Sequence, residues 1–407
     1  MNATPPRIGL NAHLLNLSGN YRSAGISWYI YHLIQNLARL PDFDYTVFLS
    51  DRRAKEHFAQ TRIDLAQSRL PTHKPLVRIA WEQFVQPFAL HEQRIDLLHA
   101  MAFAGPMAIS IPWVVTIYDL SFVHFPQLFN IANRTYLTWA VRNAVHRANR
   151  ITVISESTKR DLVSKFNASP EKISVVYCGS DPSFRPAHVI ASDEGAKQSP
   201  NLTSEIASSP NASRLLAMKK SMPDKFVLHV GTIEPRKNHV RLVRAFARAK
   251  REHKFPHKLV LIGAHGWMYE QVDTVIEQEN MKNDVIFTGY VPQNELPLWH
   301  RAADLFVYPS LYEGFGLPPL EAMASGVPVI TSNASSLPEA VGDAAIQVAP
   351  EDETALTEAI GRVLTNPGLR ETMIVRGLAQ AAKFSWARAA RETTDVYHTA
   401  LKESHAT

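Results

Sequence analysis

Cysteine is almost missing from this sequence: Cys178 is the single one in 407 residues. No intrachain disulfide can form, and a reducing compartment is the simpler expectation. No run of 18 or more apolar residues occurs, which counts against a membrane-spanning helix. The opening MNATPPRIGLNAH has no apolar core of the signal-peptide type. A cytoplasmic location is therefore expected. The pattern G-x-G-x-x-G is absent after the first apolar segment, which argues against a dinucleotide-dependent dehydrogenase. No spacing of His, Cys, Asp and Glu stands out as a metal site, so no metal is expected. Charge of one sign is in small excess, with 43 basic and 38 acidic residues, a net charge of +5 and a pI near 9.1. That balance suits a small anionic substrate or a negatively charged membrane face, and is too diffuse to argue for nucleic acid. Hydrophobic content of 45% and charged content of 20% describe a soluble globular chain, long enough for two domains.

The most informative stretch is 304–331, DLFVYPSLYEGFGLPPLEAMASGVPVIT. Its apolar runs 305–308 and 327–330 read as buried parallel strands. Between them lie Gly314, Phe315 and Gly316, then Pro318 and Pro319 where a helix can begin, and Gly326 where it can stop. On one continuous helix Glu313 and Glu321 would lie about 12 Å apart. A loop that doubles back at the glycines removes that separation. The helix start supplies free backbone N–H groups, which attract anions. Two carboxylates that can accept from hydroxyls, beside such a helix end, suit a sugar attached to a phosphate. A glycine-rich turn with two solvated acids fits the same residues.

The run E-G-F-G-L-P-P-L-E, followed by A-x-G-x-P-V-I, resembles the retaining glycosyltransferases of the GT-B fold, specifically glycosyltransferase family 4. The resemblance implies an α/β fold of two Rossmann-like, doubly wound domains facing across a cleft, with the donor mainly on the second and the acceptor on the first. It implies that the two glutamates bracket a sugar-nucleotide donor: Glu321 accepts from the ribose, and Glu313 holds hydroxyls of the sugar. Gly314, Phe315, Gly316 and Leu317 would line the donor. Residues 231–238 resemble the family's G-x-x-x-x-x-K-N turn, whose basic residues hold the diphosphate. Arg236 offers a fork and Lys237 a point charge to stabilise the leaving group. Asn238 reads as the N-cap of the helix that follows. The implied co-substrate is a nucleoside diphosphate sugar, GDP-mannose first and UDP-glucose next. The implied acceptor is a glycan or a lipid-linked sugar. No other cofactor and no metal is implied.

In the first half, strands are expected at 8–12, 44–50, 95–100, 113–118, 151–155 and 173–178. Helices are expected at 26–37, 81–91, 134–148 and 156–165, an alternation typical of a parallel sheet. Gly19 and Gly25 bracket a polar loop after the first strand. By resemblance, Gly25 is the glycine that approaches the donor phosphates. Tyr118 and Asp119 fall at a strand's carboxyl end, where ligands gather; Asp119 also suits a plain turn cap. Many relatives carry histidine where this chain has Tyr118, and tyrosine does not titrate near neutrality, so that role cannot be transferred. His13 and His124 are loose substitutes. Residues 121–150 mix Phe122, Phe125, Phe129, Tyr136 and Trp139 with arginines. They fit either a peripheral contact with an anionic membrane or a core-packed helix with a solvated back.

Residues 186–222 are rich in Ser, Ala, Asn and Pro and read as a linker. Domains are thus expected at 1–185 and 223–386, and the family resemblance implies that 387–407 returns to the first. In the second half, strands are expected at 226–230, 258–262 and 285–287, and helices at 268–279, 293–302 and 365–383, with a last helix to about 403. A sugar-nucleotide epimerase or phosphorylase on the same architecture would need an acid/base pair or a pyridoxal-type lysine, for which there is no strong candidate. A two-lobed sugar-binding protein would normally carry an export signal.

Overall fold

The computed structural model describes residues 5–17, 25–51, 53–58, 61–186, 219, 222–266 and 269–404. Gly19, Met268 and nearly all of the expected linker lie outside them. The chain divides into two compact units, Met1–Gly179 with Ser385–Thr407, and Ser180–Phe384.

The first unit runs β1 (Arg7–Asn11), α1 (Ile26–Leu37), β2 (Asp44–Leu49), α2 (Ala54–Phe58), β3 (Ile63–Gln67), α3 (Pro75–Phe84), α4 (Gln86–Glu92), β4 (Leu97–Ala100), β5 (Trp113–Ile117), α5 (Ser121–His124), α6 (Ile131–Arg147), β6 (Arg150–Val153), α7 (Glu156–Phe166) and β7 (Ile173–Val175). Its seven strands are all parallel in the order β3-β2-β1-β4-β5-β6-β7. The inner strands are apolar on both faces because helices cover both; every residue of β5 is buried. Side chains start two helices where the chain leaves a strand or turn. Asn130 accepts from the Asn133 N–H at 2.8 Å, and Ser155 from the Thr158 N–H at 3.0 Å. Two elements depart from expectation. β3 is a half-exposed edge strand whose Asp64 faces water, which breaks the apolar pattern. The helix expected at 81–91 is two helices: Pro87 has no N–H for the Gln83 carbonyl, and the chain turns at Val85.

The second unit runs β8 (Phe226–Val230), α8 (His239–His253), β9 (Lys258–Ile262), α9 (Glu270–Gln278), β10 (Val285–Gly289), α10 (Leu296–Ala302), β11 (Leu305–Tyr308), α11 (Leu317–Ala324), β12 (Val329–Ser332), α12 (Leu337–Val341), β13 (Ile346–Val348), α13 (Glu353–Thr365) and α14 (Pro367–Ala381). Its six parallel strands take the order β10-β9-β8-β11-β12-β13. β12 starts two residues later than expected, because Pro328 cannot donate to a ladder and serves only as acceptor, to the Phe306 N–H at 2.9 Å.

The last helix, α15 (Trp386–Ser404), belongs to the first unit. Trp386 stacks on His32 with centroids 5.2 Å apart, and the Tyr397 hydroxyl lies 2.6 Å from His99 Nδ1. Gly179 makes that return possible: a Cβ there would sit 2.2 Å from the Trp386 backbone nitrogen. In each unit the strand order reverses once, between β1 and β4 and between β8 and β11. The loops leaving those strands flank the crevice where doubly wound sheets bind ligands. Among the described residues no helix is long and apolar enough to cross a membrane.

Candidate active site

Two loops meet at the reversal point of the second unit, 231–238 after β8 and 309–316 after β11. The Leu311 N–H donates to the Arg236 carbonyl at 2.8 Å, and Arg236 Nη1 donates to the Tyr312 carbonyl at 2.8 Å. Asn238 stands at the N-cap position of α8 but does not cap it. Its backbone is left-handed, with φ 63°, and Nδ2 instead donates to the carbonyls of Pro309 at 3.0 Å and Pro350 at 2.8 Å. The capping expectation is corrected: the amide ties the two loops together. Ser335 Oγ accepts from the Glu313 N–H at 2.8 Å, and Ser336 Oγ lies 2.8 and 2.9 Å from the carbonyls of Glu313 and Phe315, able to donate to either. Gly316 closes the bend at φ 117°, where a Cβ would come within 2.9 Å of Leu337 Cδ2. Phe315 is buried edge-on to Phe384, and Leu317 opens α11.

This doubling back sets Glu313 on both cations. Its Oε1 lies 2.7 Å from Lys237 Nζ and its Oε2 3.1 Å from Arg236 Nη1. Lys237 also donates to the Tyr308 hydroxyl at 2.5 Å, and Arg236 pairs with Glu234 at 2.7 Å. Burial alone would raise the Glu313 carboxyl, but Lys237 and Arg236 outweigh it and hold the group down at about 2. Burial pulls the Lys237 ammonium below its usual range, and Glu313 pulls it back. The Glu313 carboxyl is therefore ionised at neutral pH. Such a pair adds little to stability. It keeps two cations poised, with a carboxylate where another anion can take over. Among the described residues no group of three or more His, Cys, Asp or Glu is placed to hold a metal ion.

Glu321 sits in α11 in a different setting. It is buried with Gln293 Nε2 at 3.5 Å from Oε1, and burial followed by the Asp181 charge pushes its carboxyl up to about 8. The folded-state value exceeds the ordinary carboxylate value, so the folded protein holds this proton more tightly than the unfolded chain. Stability from this group is then full below about pH 4.5 and is lost as pH rises towards about 8. Glu321→Gln is expected to raise Tm relative to the parent at pH 8 and to leave it nearly unchanged at pH 4.5. Equal shifts at both pH values in thermal melts would show that the carboxyl titrates normally.

Comparison with known proteins agrees with these features. Residues 23–184 match the model described as Glycosyltransferase Family 4, and residues 217–379 the model described as Glycosyl transferases group 1. The chain is 31% identical over 315 residues to O-antigen chain mannosyltransferase B of Escherichia coli, covering 77% of this chain and 76% of that protein. The chain belongs to glycosyltransferase family 4. Its fold is GT-B, shared with sucrose-phosphate synthase from Thermosynechococcus elongatus (TM-score 0.71, 20% identity, 97% and 98% of the chains). It is shared also with the Anabaena protein HepE in complex with UDP-glucose (TM-score 0.69, 20% identity, 97% and 99% of the chains).

In this family 4 glycosyltransferase the first-unit residues singled out from the sequence are more scattered. Gly25 is exposed at the start of α1 with φ 59°, consistent with glycine there. Tyr118 is a core residue. Its hydroxyl donates to the Met101 carbonyl at 2.6 Å, its ring packs edge-on to Tyr29 and Phe103, and burial raises its pKa well above the usual range. A phenol so engaged offers no proton to a substrate, which corrects its inclusion among catalytic candidates. Asp119 Oδ1 accepts from the Ser121 N–H at 2.9 Å and hydroxyl at 2.7 Å, the turn-capping arrangement. His124 lies 2.9 Å from Asp161 on the surface. The sequence reading missed Tyr308, Glu234 and the buried His229, whose ring stacks on Tyr308 at 5.2 Å and whose Nδ1 bonds the Val307 carbonyl at 2.9 Å. His229 and Tyr308 occupy strand ends, the one positional signal that would have flagged them.

Proposed function

We propose that this glycosyltransferase moves a sugar from a nucleoside diphosphate sugar, mannose from GDP-mannose first and glucose from UDP-glucose next, to a hydroxyl of a glycan or lipid-linked acceptor, with retention of configuration, in surface polysaccharide or glycolipid synthesis. The observation that carries this reading is the Arg236–Lys237–Glu313 cluster beside the start of α11. The choice of mannose is supported by the Escherichia coli relative's name. In the reaction the bond from the sugar C1 to the diphosphate breaks and a bond from C1 to the acceptor oxygen forms on the same face. The acceptor's proton passes to the departing diphosphate. Arg236 and Lys237 release Glu313 and hold the diphosphate as its charge grows, the kind of stabilisation worth most in catalysis. Glu313 then holds donor sugar hydroxyls, and Glu321 accepts from the ribose.

With two cations at the leaving group, no metal is needed in this scheme. GDP release from GDP-mannose in the presence of a mannoside acceptor is expected to continue at an unchanged rate in excess EDTA. Loss of activity restored by Mg²⁺ or Mn²⁺ would place a metal ion on the diphosphate. Failure of GDP-mannose and UDP-glucose alike to yield nucleoside diphosphate would reject both donors.

A peripheral site at the inner face of an anionic membrane completes the reading. Its support comes from α3 and α4, where Leu76, Phe84 and Phe88 are 82%, 74% and 77% exposed, and from Ile131 and Trp139 of α6, which are 77% and 41% exposed, whereas Phe122 is in the core.

A further inference from the structure

A second constellation lies in the first unit, at the reversal between β1 and β4. Asn11 ends β1 and His13 follows it, Arg78 and Glu82 stand one turn apart on α3, and Tyr136 comes from α6. With Phe103 beyond β4 they wall a cavity of about 30 Å³. That is space for roughly one or two water-sized groups. Glu82 and His13 are each only 4% exposed. Glu82 Oε1 accepts from Asn11 Nδ2 at 3.3 Å, while Glu82 Oε2 has no partner. His13 Nδ1 is bonded to Thr72 Oγ1 at 2.7 Å, while His13 Nε2 has none. Buried polar atoms are rarely left unmet, and two of them on residues lining one small cavity mark a place suited to a polar guest.

We propose that this cavity is a subsite for a neutral sugar of the acceptor, in which one hydroxyl or hydroxymethyl group bonds Glu82 Oε2 and His13 Nε2 together. A hydroxyl both donates and accepts, so it can serve both unmet atoms. The cavity favours a neutral group over a phosphate, because Arg78 lies 3.8 Å from Glu82 and is offset wherever that carboxyl is ionised, leaving an anion to face the carboxylate. Burial, aided by the Arg78 charge, lowers His13 to about 3, so its ring is neutral. Burial raises Glu82 to about 7 against the pull of Arg78 and Asn11, so near neutrality the carboxyl is divided between accepting and donating forms. The proposal deepens the functional reading above and rests on it for the choice of a mannoside.

The test is an NMR titration of the full chain with methyl α-D-mannopyranoside, without nucleotide, for the parent, Glu82→Gln and His13→Phe, with GDP affinity measured in parallel. The parent should bind the glycoside, and each variant should bind it about tenfold or more weakly with GDP affinity unchanged. Inorganic phosphate should not compete. His13→Phe keeps an aromatic ring against Trp81, whose centroid lies 4.1 Å from that of His13, so it decides the question should Glu82→Gln fail to fold. Undiminished glycoside affinity in either folded variant, displacement by phosphate, or no glycoside binding to the parent would overturn the subsite and leave the cavity to water. Absence of GDP binding would instead count against the donor reading, and the glycoside titration would stand independently of it.

Discussion

Lys237→Ala is expected to lower kcat by about a hundredfold or more, the loss seen when a charge-stabilising donor is removed from a reacting centre. The ammonium lies 2.7 Å from Glu313 and 2.5 Å from the Tyr308 hydroxyl, buried in a loop held by main-chain bonds. A diphosphate that displaces Glu313 meets a cation already in place, so little reorganisation accompanies the growth of charge on the leaving group. The variant should still fold, because Arg236 remains 3.1 Å from Glu313 and no carboxylate is left unpaired. Circular dichroism and thermal melts would confirm the fold, and steady-state rates at saturating donor would measure the loss. An unchanged rate removes Lys237 from the mechanism.

Glu313→Gln should separate binding from chemistry. Arg236 and Lys237 are balanced in the free protein by Glu234 and Glu313. Neutralising Glu313 leaves the cluster one positive charge in excess and removes the anion that competes with the diphosphate. Nucleoside diphosphate affinity is therefore expected to be kept or tightened. The transfer rate should fall about tenfold to a hundredfold, the worth of a charge-assisted hydrogen bond of roughly 1.5–3 kcal/mol, because contacts to the sugar matter most as it gains oxocarbenium character. Glu321→Gln should do the reverse and weaken the nucleoside diphosphate, since its ribose contact is remote from the reacting atoms. Calorimetry beside steady-state rates distinguishes the two glutamates. Weakened nucleotide binding in both variants, or full activity in both, would end the proposed division of labour.

The second unit was the more legible from sequence because its inner strands are short, mostly apolar and punctuated. The strands at 226–230, 258–262 and 305–308 and the start of α8 at His239 fall where the pattern places them. The Gly314-Phe315-Gly316 bend, with Pro318 and Pro319 after it, marks the turn that carries Glu313 back onto Lys237. β3 and β13 were missed because edge strands of five and three residues carry exposed or half-buried polar positions. Asn238 misled because a side chain suited to capping was used for a longer-range tie between loops. Tyr118 misled for the opposite reason: its place at a strand end suggested a ligand, whereas an amphipathic ring is equally at home in a core when a carbonyl such as that of Met101 takes its hydroxyl. Glu82 carried no local signal, and His13 stood out only as a loose substitute for the family histidine. Their meeting with Arg78 and Tyr136 depends on α3 and α6 converging beside β1, which no spacing within one segment encodes.

The central claim is that Arg236 and Lys237 receive the donor's diphosphate. The most direct test is the affinity difference between GDP and GMP, or between UDP and UMP should the protein bind uracil nucleotides, in the parent and in Lys237→Ala by calorimetry. The two ligands of each pair differ by the β-phosphate alone, so base and ribose contacts cancel. The parent should prefer the diphosphate at least about tenfold, and Lys237→Ala should lose most of that preference, in keeping with a charge-assisted contact. The same diphosphate preference in both proteins would contradict the claim and place the phosphate site elsewhere.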